Sequence, residues 1–309
     1  EKGLDLLRPD GRMGYIAPNV WMMNEYGRGL RAVVKRNRRL DRWVDFKSFQ
    51  VFDEAITYTA LQFFRGRSVD ALRCSFIPDG DMSRIEWQSP DARISYEELP
   101  ETEAWNLMPD AERKLIDRLR ETCKPLIERC RGIFVGIQTS ADAIYHLIRL
   151  GPGRYRTKSG MEVRLEDAIM RPLVSGAEAK RYQSPQTDTW LLFPYDISGA
   201  RPRLLTESEL SNRFPLALAY LKQHEQALRN RERGRMNIDD GWWAYNYPKN
   251  LDKQEHTKLL VAQTVPNLRV SYDSEGTFYC NNVRVNGILP NTPEGGWFLL
   301  GILNARPAD

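Results

Sequence analysis

The sequence lacks any apolar run of about 20 residues, the length that a helix needs to cross a bilayer. It also lacks a secretory signal, because Glu1-Lys2-Gly3-Leu4 is charged and no apolar segment with a cleavage site follows. We therefore expect a cytoplasmic protein with no membrane partner. Since the first residue is not methionine, we also expect the chain to begin within a longer polypeptide.

Cysteine and histidine are scarce. The cysteines are Cys74, Cys123, Cys130 and Cys280. None forms the close Cys-x-x-Cys pair that is typical of structural zinc sites, so we expect no metal, no disulfide framework and buried, reduced thiols. The three histidines lie in no recognisable nucleophile–base motif, which argues against a self-contained hydrolase.

Positive charge is modest overall, at +4, but it is concentrated in two segments. The first segment contains Arg28, Arg31, Lys35, Arg36, Arg38, Arg39 and Arg42. The second contains Arg229, Arg231, Arg233 and Arg235. Such clusters can neutralise phosphates and release counterions, which makes both segments candidate DNA contacts. A solvated helix face explains the charge pattern equally well.

Aromatic residues follow the second basic segment directly, as Trp242-Trp243-Ala244-Tyr245-Asn246-Tyr247. Aromatic rings next to arginines are typical of nucleic-acid contacts, where the rings stack and the cations pair with phosphates, and Trp243 and Tyr245 are the candidates. The alternative is packing of alternate residues in a core, which we favour for at least two of the four rings.

The length of the chain predicts two packed parts, because 309 residues are too many for one minimal core. The hydrophobic pattern indicates where these parts lie. Residues 1–105 have an α/β pattern: a buried strand at Met13–Pro18, a helix from Asn24 to about Arg38, and strands at Leu40–Asp45 and Tyr58–Phe64. Further short strands are predicted at Leu72–Ile77, Arg84–Trp87 and Ala92–Ser95.

Residues 106–131 are predicted to form a helical connector, which Pro109 opens and in which Leu115 and Leu119 belong to an apolar stripe. Residues 132–309 have a β-rich pattern with helices at Leu165–Met170 and from about Glu207 to Arg231. The predicted strands are Ile133–Gln138, Tyr145–Leu150, Trp190–Tyr195, Leu259–Gln263, Arg269–Tyr272 and Thr277–Cys280.

Two stretches resemble the adenine-N6 DNA methyltransferases of restriction–modification systems, in particular those fused to a TaqI-like specificity domain. The first stretch contains Leu6-Leu7-Arg8-Pro9-Asp10-Gly11-Arg12-Met13-Gly14-Tyr15-Ile16-Ala17-Pro18-Asn19, Gly27-Arg28-Gly29-Leu30-Arg31 and Val51-Phe52-Asp53-Glu54-Ala55. The second contains Gly136-Ile137-Gln138-Thr139-Ser140-Ala141-Asp142-Ala143, Arg171-Pro172-Leu173-Val174-Ser175-Gly176, Leu228-Arg229-Asn230-Arg231, the Trp242-Trp243 segment, Lys258-Leu259-Leu260-Val261 and Leu300-Gly301-Ile302-Leu303-Asn304.

This resemblance implies an α/β plus α+β protein, in which a partial Rossmann-like methyltransferase sheet is followed by a β-rich target-recognition domain. Its expected partners are double-stranded DNA and an N-terminal catalytic part of the same polypeptide. Whether the longer parent polypeptide also carries a nuclease stays open. The family binds S-adenosylmethionine through a glycine-containing loop and holds adenine with an Asn/Asp-Pro-Pro-Tyr/Phe loop. Neither loop occurs here. We therefore expect no cofactor on this chain and no complete catalytic set.

The resemblance also implies roles for single residues. Phe52 matches the aromatic that stacks on the flipped adenine, against the alternative of a buried phenylalanine. Thr139 could face DNA, although a structural turn is the better interpretation. Arg231 either contacts DNA or anchors the fold through a carboxylate such as Asp239 or Asp240. The rival to DNA recognition as a whole is a protein-interaction or regulatory module that docks a partner subunit.

Overall fold

A computed structural model describes residues 2–54, 57–282 and 284–305. The chain divides into two compact units, Glu1–Cys123 and Lys124–Asp309. Both belong to a mixed α/β protein with several sheets. The sequence-based limits of the parts, at 105 and 132, stay a prediction. Among the described residues, no helix has both the length and the apolar character that a membrane span requires.

The first unit is built on one five-stranded sheet in the order β1-β3-β2-β4-β5. Its strands β1 to β5 are Arg12–Pro18, Leu40–Asp45, Thr59–Arg65, Ala71–Phe76 and Ala92–Ser95. Its helices α1 to α3 are Lys2–Asp5, Arg28–Asn37 and Asp110–Thr122, and 3-10 turns occupy Val20–Met22, Glu25–Gly27 and Met82–Arg84. The β2–β4 pair is parallel, and the other neighbours run antiparallel.

Alternating side chains give this sheet two different faces. One face packs Trp43, Phe64 and Leu72 into a core together with Val34 of α2. The start of α2 depends on Gly27, because a Cβ there would lie 1.9 Å from the carbonyl oxygen of Trp21. The chain can therefore turn into the helix only with glycine at this position.

The second unit contains a six-stranded, a four-stranded and a two-stranded sheet in its described part. Its strands β6 to β17 are Cys130–Val135, His146–Gly151, Arg154–Arg156, Glu162–Arg164, Met170–Val174, Thr189–Leu192, Tyr195–Asp196, Arg203–Leu204, Lys258–Ala262, Val270–Asp273, Tyr279–Cys280 and Val285–Pro290. Its helices α4 to α9 are Asp142–Tyr145, Glu207–Arg213, Pro215–Gln223, Glu225–Arg229, Arg231–Gly234 and Pro293–Leu303, with 3-10 turns at Leu126–Arg129, Asp167–Ile169 and Leu251–Lys253.

The larger sheets are ordered β16-β10-β11-β7-β8-β9 and β15-β14-β17-β6. The main core of the unit lies on the first of them and is rich in aromatic rings, including Trp243, Tyr245 and Phe193. A buried ion pair connects β14 to β15: the Lys258 ammonium lies 2.6 Å from Asp273 Oδ2. Both side chains are almost completely buried, so this pair is part of the interior of the unit.

The structure corrects several sequence-based predictions in the first unit. The strand at Met13–Pro18 exists, but it is not buried: β1 is an edge strand, with Tyr15 50% and Ile16 43% exposed. The predicted strand Arg84–Trp87 is wrong, because Arg84 is the last residue of the 3-10 turn Met82–Arg84. The Asp81 carboxylate caps this turn by accepting from the Ser83 amide. The connector helix α3 buries no side chain. Cys123, at its end, is exposed rather than buried.

Two helix predictions in the second unit are wrong in extent. The segment Leu165–Met170 contains only a 3-10 turn before β10 begins at Met170. The long helix from Glu207 is divided into α5, α6 and α7. One break falls at Phe214, because the residue before a proline is restricted and Pro215 has no amide proton to donate.

Candidate nucleic-acid interface

The first basic segment forms helix α2, and its side chains differ in exposure. Arg28 and Arg36 point to solvent, and Arg28 lies 3.8 Å from the Glu25 carboxylate. Lys35 is half-buried and donates to the carbonyl of Leu99. Of these three, Arg28 and Arg36 are therefore the side chains that α2 offers to an external anion.

Arg31 is placed differently, since only 1% of it is exposed. Its Nη1 donates to the carbonyl oxygens of Trp21 at 2.6 Å and Asn24 at 2.8 Å. Its Nε and Nη2 both donate to the backbone carbonyl oxygen of Thr102, at 3.2 and 2.7 Å. Because these bonds use the guanidinium inside the unit, the prediction of a phosphate contact at Arg31 is wrong.

Arg231 is the buried member of the second basic segment, at 7% exposed. Its guanidinium donates to four backbone carbonyls, at 2.8 to 2.9 Å, those of Leu228, Thr139, Trp242 and Ala244. The fold-anchoring alternative therefore holds for Arg231, but its partners are carbonyls and not Asp239 or Asp240. A side chain engaged in this way cannot reach a phosphate.

The short segment α8 is not a regular helix, because the backbone directly after Arg231 has non-helical angles. Glu232 and Arg233 are left-handed, with φ of 46° and 62°, and Gly234 follows at φ 85°. A left-handed conformation costs a residue other than glycine roughly 1–2 kcal/mol, and such strain is concentrated at functional sites in proteins. We call residues 232–235 the strained loop; it exposes Arg233 and Arg235.

Hydrogen bonds hold the strained loop in place. The Glu232 carboxylate accepts from the Tyr247 hydroxyl at 2.8 Å and from Ser140 Oγ at 3.3 Å. The Tyr247 bond is the main reason that the pKa of Glu232 is lowered, and burial acts in the opposite direction. The Arg235 guanidinium lies 5.3 Å from the centre of the Tyr247 ring, within cation–π range.

Asn246 lies beside this loop and is 6% exposed. It helps to lower the pKa of Glu232, yet neither its Oδ1 nor its Nδ2 makes a hydrogen bond of normal geometry within the described residues. Because both amide atoms are shielded from solvent, Asn246 acts on Glu232 inside the unit and is not a contact for an external ligand. Asn246 and Tyr247 belong to the aromatic segment of the sequence, but their contacts with Glu232 form only in the fold and no local pattern predicts them.

The aromatic segment mostly packs inward. Trp242, Trp243 and Tyr245 are at most 3% exposed. Trp243 Nε1 donates to the carbonyl of Leu205 at 3.1 Å, and the Tyr245 hydroxyl donates to that of Leu192 at 2.6 Å. The prediction that Trp243 and Tyr245 stack on nucleic acid is therefore wrong, and the core-packing alternative holds for three of the four rings.

Thr139 and Arg229 also have internal partners. Thr139 is completely buried: its Oγ1 donates to Asp142 at 2.6 Å and accepts the Ala141 amide at 3.0 Å, which is a structural turn rather than a DNA contact. Arg229 Nε donates to Glu225 at 2.7 Å, and the guanidinium lies 5.4 Å from the Trp242 ring centre. The Arg229 guanidinium also donates to the Ile238 carbonyl, and the side chain is only partly exposed.

Comparison with known proteins relates this chain to one group of enzymes. The family model "Eco57I restriction-modification methylase" matches residues 1–52. The type II restriction enzyme and methyltransferase RM.Eco57I of Escherichia coli is 24% identical over 95% of this chain and 31% of its own length. The type II methyltransferase M.BstVI of Geobacillus stearothermophilus is 22% identical over 90% of this chain and 50% of its own. The chain is related to restriction–modification methyltransferases.

Among solved structures, the type IIL restriction–modification enzyme MmeI, determined in complex with DNA, matches 92% of this chain and 34% of its own. The TM-score is 0.51 at 13% identity, so this likeness concerns the fold. The chain spans about a third to a half of the length of the curated methyltransferases described above.

Phe52 is the residue for which the methyltransferase resemblance implied contact with a flipped base. It is 44% exposed, so the alternative of a phenylalanine buried beneath the strands is wrong. Ala55, at the end of its motif, lies outside the described residues. Stacking on adenine stays a prediction. In the described part of the chain, no group of three or more histidine, cysteine or acidic side chains could hold a metal ion.

Proposed function

We propose that this chain contributes DNA recognition to a site-specific, adenine-N6 DNA methyltransferase of a restriction–modification system and does not catalyse methyl transfer alone. The observation that carries the proposal is the strained loop of the second unit. It exposes Arg233 and Arg235, and the hydrogen bonds of Glu232 hold it in this conformation. Arginines that are exposed in this way can pair with phosphates, and such contacts fix the register of a recognition domain on the duplex.

The second unit is, in this proposal, the target-recognition domain. Strain in the loop supports the assignment, because the bonds from Tyr247 and Ser140 to Glu232 hold a costly conformation that presents both arginines outward. The loop is therefore preorganised, and less ordering free energy is lost when it binds than with a flexible arginine-rich segment.

The first unit is, in the same proposal, the rear part of a Rossmann-like methyltransferase sheet. Within the described residues, β1 pairs with β3 alone and leaves its other edge open. An open groove of about 500 Å³ beside it is lined mainly by apolar side chains, among them Tyr15, Trp21 and Tyr26. Such an edge suits a further strand from a catalytic part of the same polypeptide, and the greater length of the relatives supports this assignment.

The cofactor and the adenine would then be held mainly outside this chain. The sequence has neither the cofactor loop nor the Pro-Pro loop that the resemblance requires. S-adenosylmethionine would bind the parent enzyme, and Phe52 would add a ring that stacks on the flipped base.

The decisive experiment measures duplex DNA binding by fluorescence anisotropy over a range of salt concentrations. The double variant Arg233→Gln/Arg235→Gln should bind more weakly, and the slope of log K against log salt should become shallower by about 1.8, since each phosphate contact contributes about 0.9. The variant Lys158→Gln/Arg164→Gln removes the same charge from exposed positions elsewhere in the second unit and should keep the wild-type slope.

A salt-independent response of the wild-type chain would favour the protein-docking alternative over DNA recognition. A separate experiment tests whether this chain can transfer methyl groups alone, with S-adenosylmethionine that carries a labelled methyl group. Incorporation of label into duplex DNA by this chain alone would contradict the proposal that it is catalytically incomplete.

A further inference from the structure

Every strand of the sheet in the first unit contributes one arginine to the same face. Arg12 of β1 pairs with Arg65 of β3, and Arg73 of β4 pairs with both Arg42 of β2 and Arg93 of β5. Directly paired residues of neighbouring strands point to the same face of a sheet, and so do residues two positions apart in one strand. Arg42 is paired with Phe63, which lies two positions before Arg65, so Arg42 and Arg65 share a face. All five arginines therefore lie on one side of the sheet. We call these five residues the arginine row.

One carboxylate lies within the row. A β-bulge between Leu40 and Arg42 accommodates Asp41, whose Oδ2 accepts from Arg65 Nε at 2.7 Å and whose Oδ1 accepts from Arg73. Burial tends to raise the pKa of Asp41, but these arginine contacts outweigh it and keep the pKa below its usual value. Asp41 therefore stays charged and fixes two of the five guanidinium groups.

Trp87 positions a third guanidinium group of the arginine row, that of Arg42. Arg42 Nη1 donates to the Trp87 carbonyl at 2.7 Å, and the guanidinium lies 5.2 Å from the centre of the indole ring. That ring packs edge-on against Phe63, with centroids 5.9 Å apart. Arg12 and Arg93 are exposed and form no ion pair within the described residues. Several members of the row are thus positioned in advance by contacts that leave them open to solvent.

The charge of the row is not balanced by Asp41. Burial is the largest cause that lowers the pKa of Arg42, and repulsion by Arg73, Arg65 and Arg12 lowers it further against the attraction of Asp41. An open cavity of about 430 Å³ extends between Arg12, Arg42 and Trp87. A concave surface with excess positive charge concentrates anions from solution.

We propose that the arginine row binds the phosphate backbone of a nucleic acid, as a contact surface separate from the strained loop. The inference rests on the proposed function, since it adds a second surface for the same class of ligand. Five strands at about 4.8 Å spacing extend the row over about 19 Å, which matches a run of phosphates better than one compact anion. Guanidinium groups bind phosphate in a bidentate manner.

The test uses the full chain and the triple variant Arg12→Gln/Arg42→Gln/Arg93→Gln, which leaves the pairs of Asp41 intact. The matched control is Arg67→Gln/Lys114→Gln/Arg118→Gln, which removes the same charge from exposed positions of the first unit outside the row. We expect the salt slope of duplex binding to become shallower by about 2.7 in the row variant and to stay unchanged in the control. Circular dichroism melting checks that both variants remain folded.

Two comparisons decide between the outcomes. If the row variant keeps the wild-type slope while Arg233→Gln/Arg235→Gln reduces it, the inference is overturned and the proposed function stands. If the row variant alone reduces the slope, the inference stands and the role proposed for the strained loop fails. Polyglutamate and pyrophosphate serve as competitors: displacement of duplex by either one as efficiently as by unlabelled duplex would overturn the assignment to a nucleic-acid backbone.

Discussion

Replacing Arg231 separates a fold-anchoring role from a DNA-contacting role. The Arg231→Met variant removes the donors to four buried carbonyl oxygens. A buried polar group that loses its partner costs about 1–3 kcal/mol, but neighbouring groups relax and the losses are not additive. We therefore expect the free energy of unfolding of the second unit to fall by about 3–5 kcal/mol, as when a buried, bonded charge network is broken.

The assay is thermal unfolding of the full chain, followed by tryptophan fluorescence. For a unit of this size, each kcal/mol corresponds to about 2–4 °C, so Tm should fall by roughly 6–20 °C. Arg231→Lys should also destabilise the unit, because one ammonium cannot reach four separate carbonyls. Arg233→Lys provides the control at an exposed neighbour and should leave Tm unchanged. An Arg231→Met variant with wild-type Tm and weakened DNA binding would refute the assignment of Arg231 as an anchor.

Two further predictions concern stability. Lys258→Met should lower the free energy of unfolding by about 3–5 kcal/mol in urea denaturation, because it leaves the buried carboxylate of Asp273 unpaired, whereas the exposed Lys158→Met should have little effect. Hydrogen bonds from Arg203, and secondly from Thr206, lower the pKa of Glu209 to about 2. The ionised carboxylate therefore stabilises the fold fully at pH values above 4.5, the ordinary pKa of glutamate, and this stabilisation is lost as the pH falls towards 2. The Tm difference between wild type and Glu209→Gln should therefore shrink over that interval, and a constant difference would contradict the assigned pKa shift.

Local patterns were sufficient for many elements of the fold. Leu40–Asp45 and Ala92–Ser95 are strands with the predicted bounds, since short runs that contain apolar residues lie there between turn-forming segments. The same patterns misjudged burial at β1, because its apolar composition resembles that of a central strand although it lies at an edge. Apolar composition alone does not reveal the position of a strand in its sheet.

The candidate surfaces were less predictable. Charge clustering located Arg233 and Arg235, but it did not distinguish them from Arg231, whose burial depends on carbonyls outside its own segment, such as that of Thr139. The contact of Glu232 with Ser140 joins residues that are 92 positions apart. The arginine row requires the registers of several strand pairs, which no local pattern encodes.

The open edge of β1 has a consequence for the behaviour of the chain in solution. An edge strand with exposed apolar side chains offers unpaired backbone groups to any other strand, including the same strand of a second molecule. Proteins often protect such edges with proline or charged side chains, and in β1 these occur only at the two ends, as Arg12 and Pro18, while the residues between them are uncharged. Strand-to-strand self-association should therefore increase with protein concentration, and a lysine at Ile16 should suppress it.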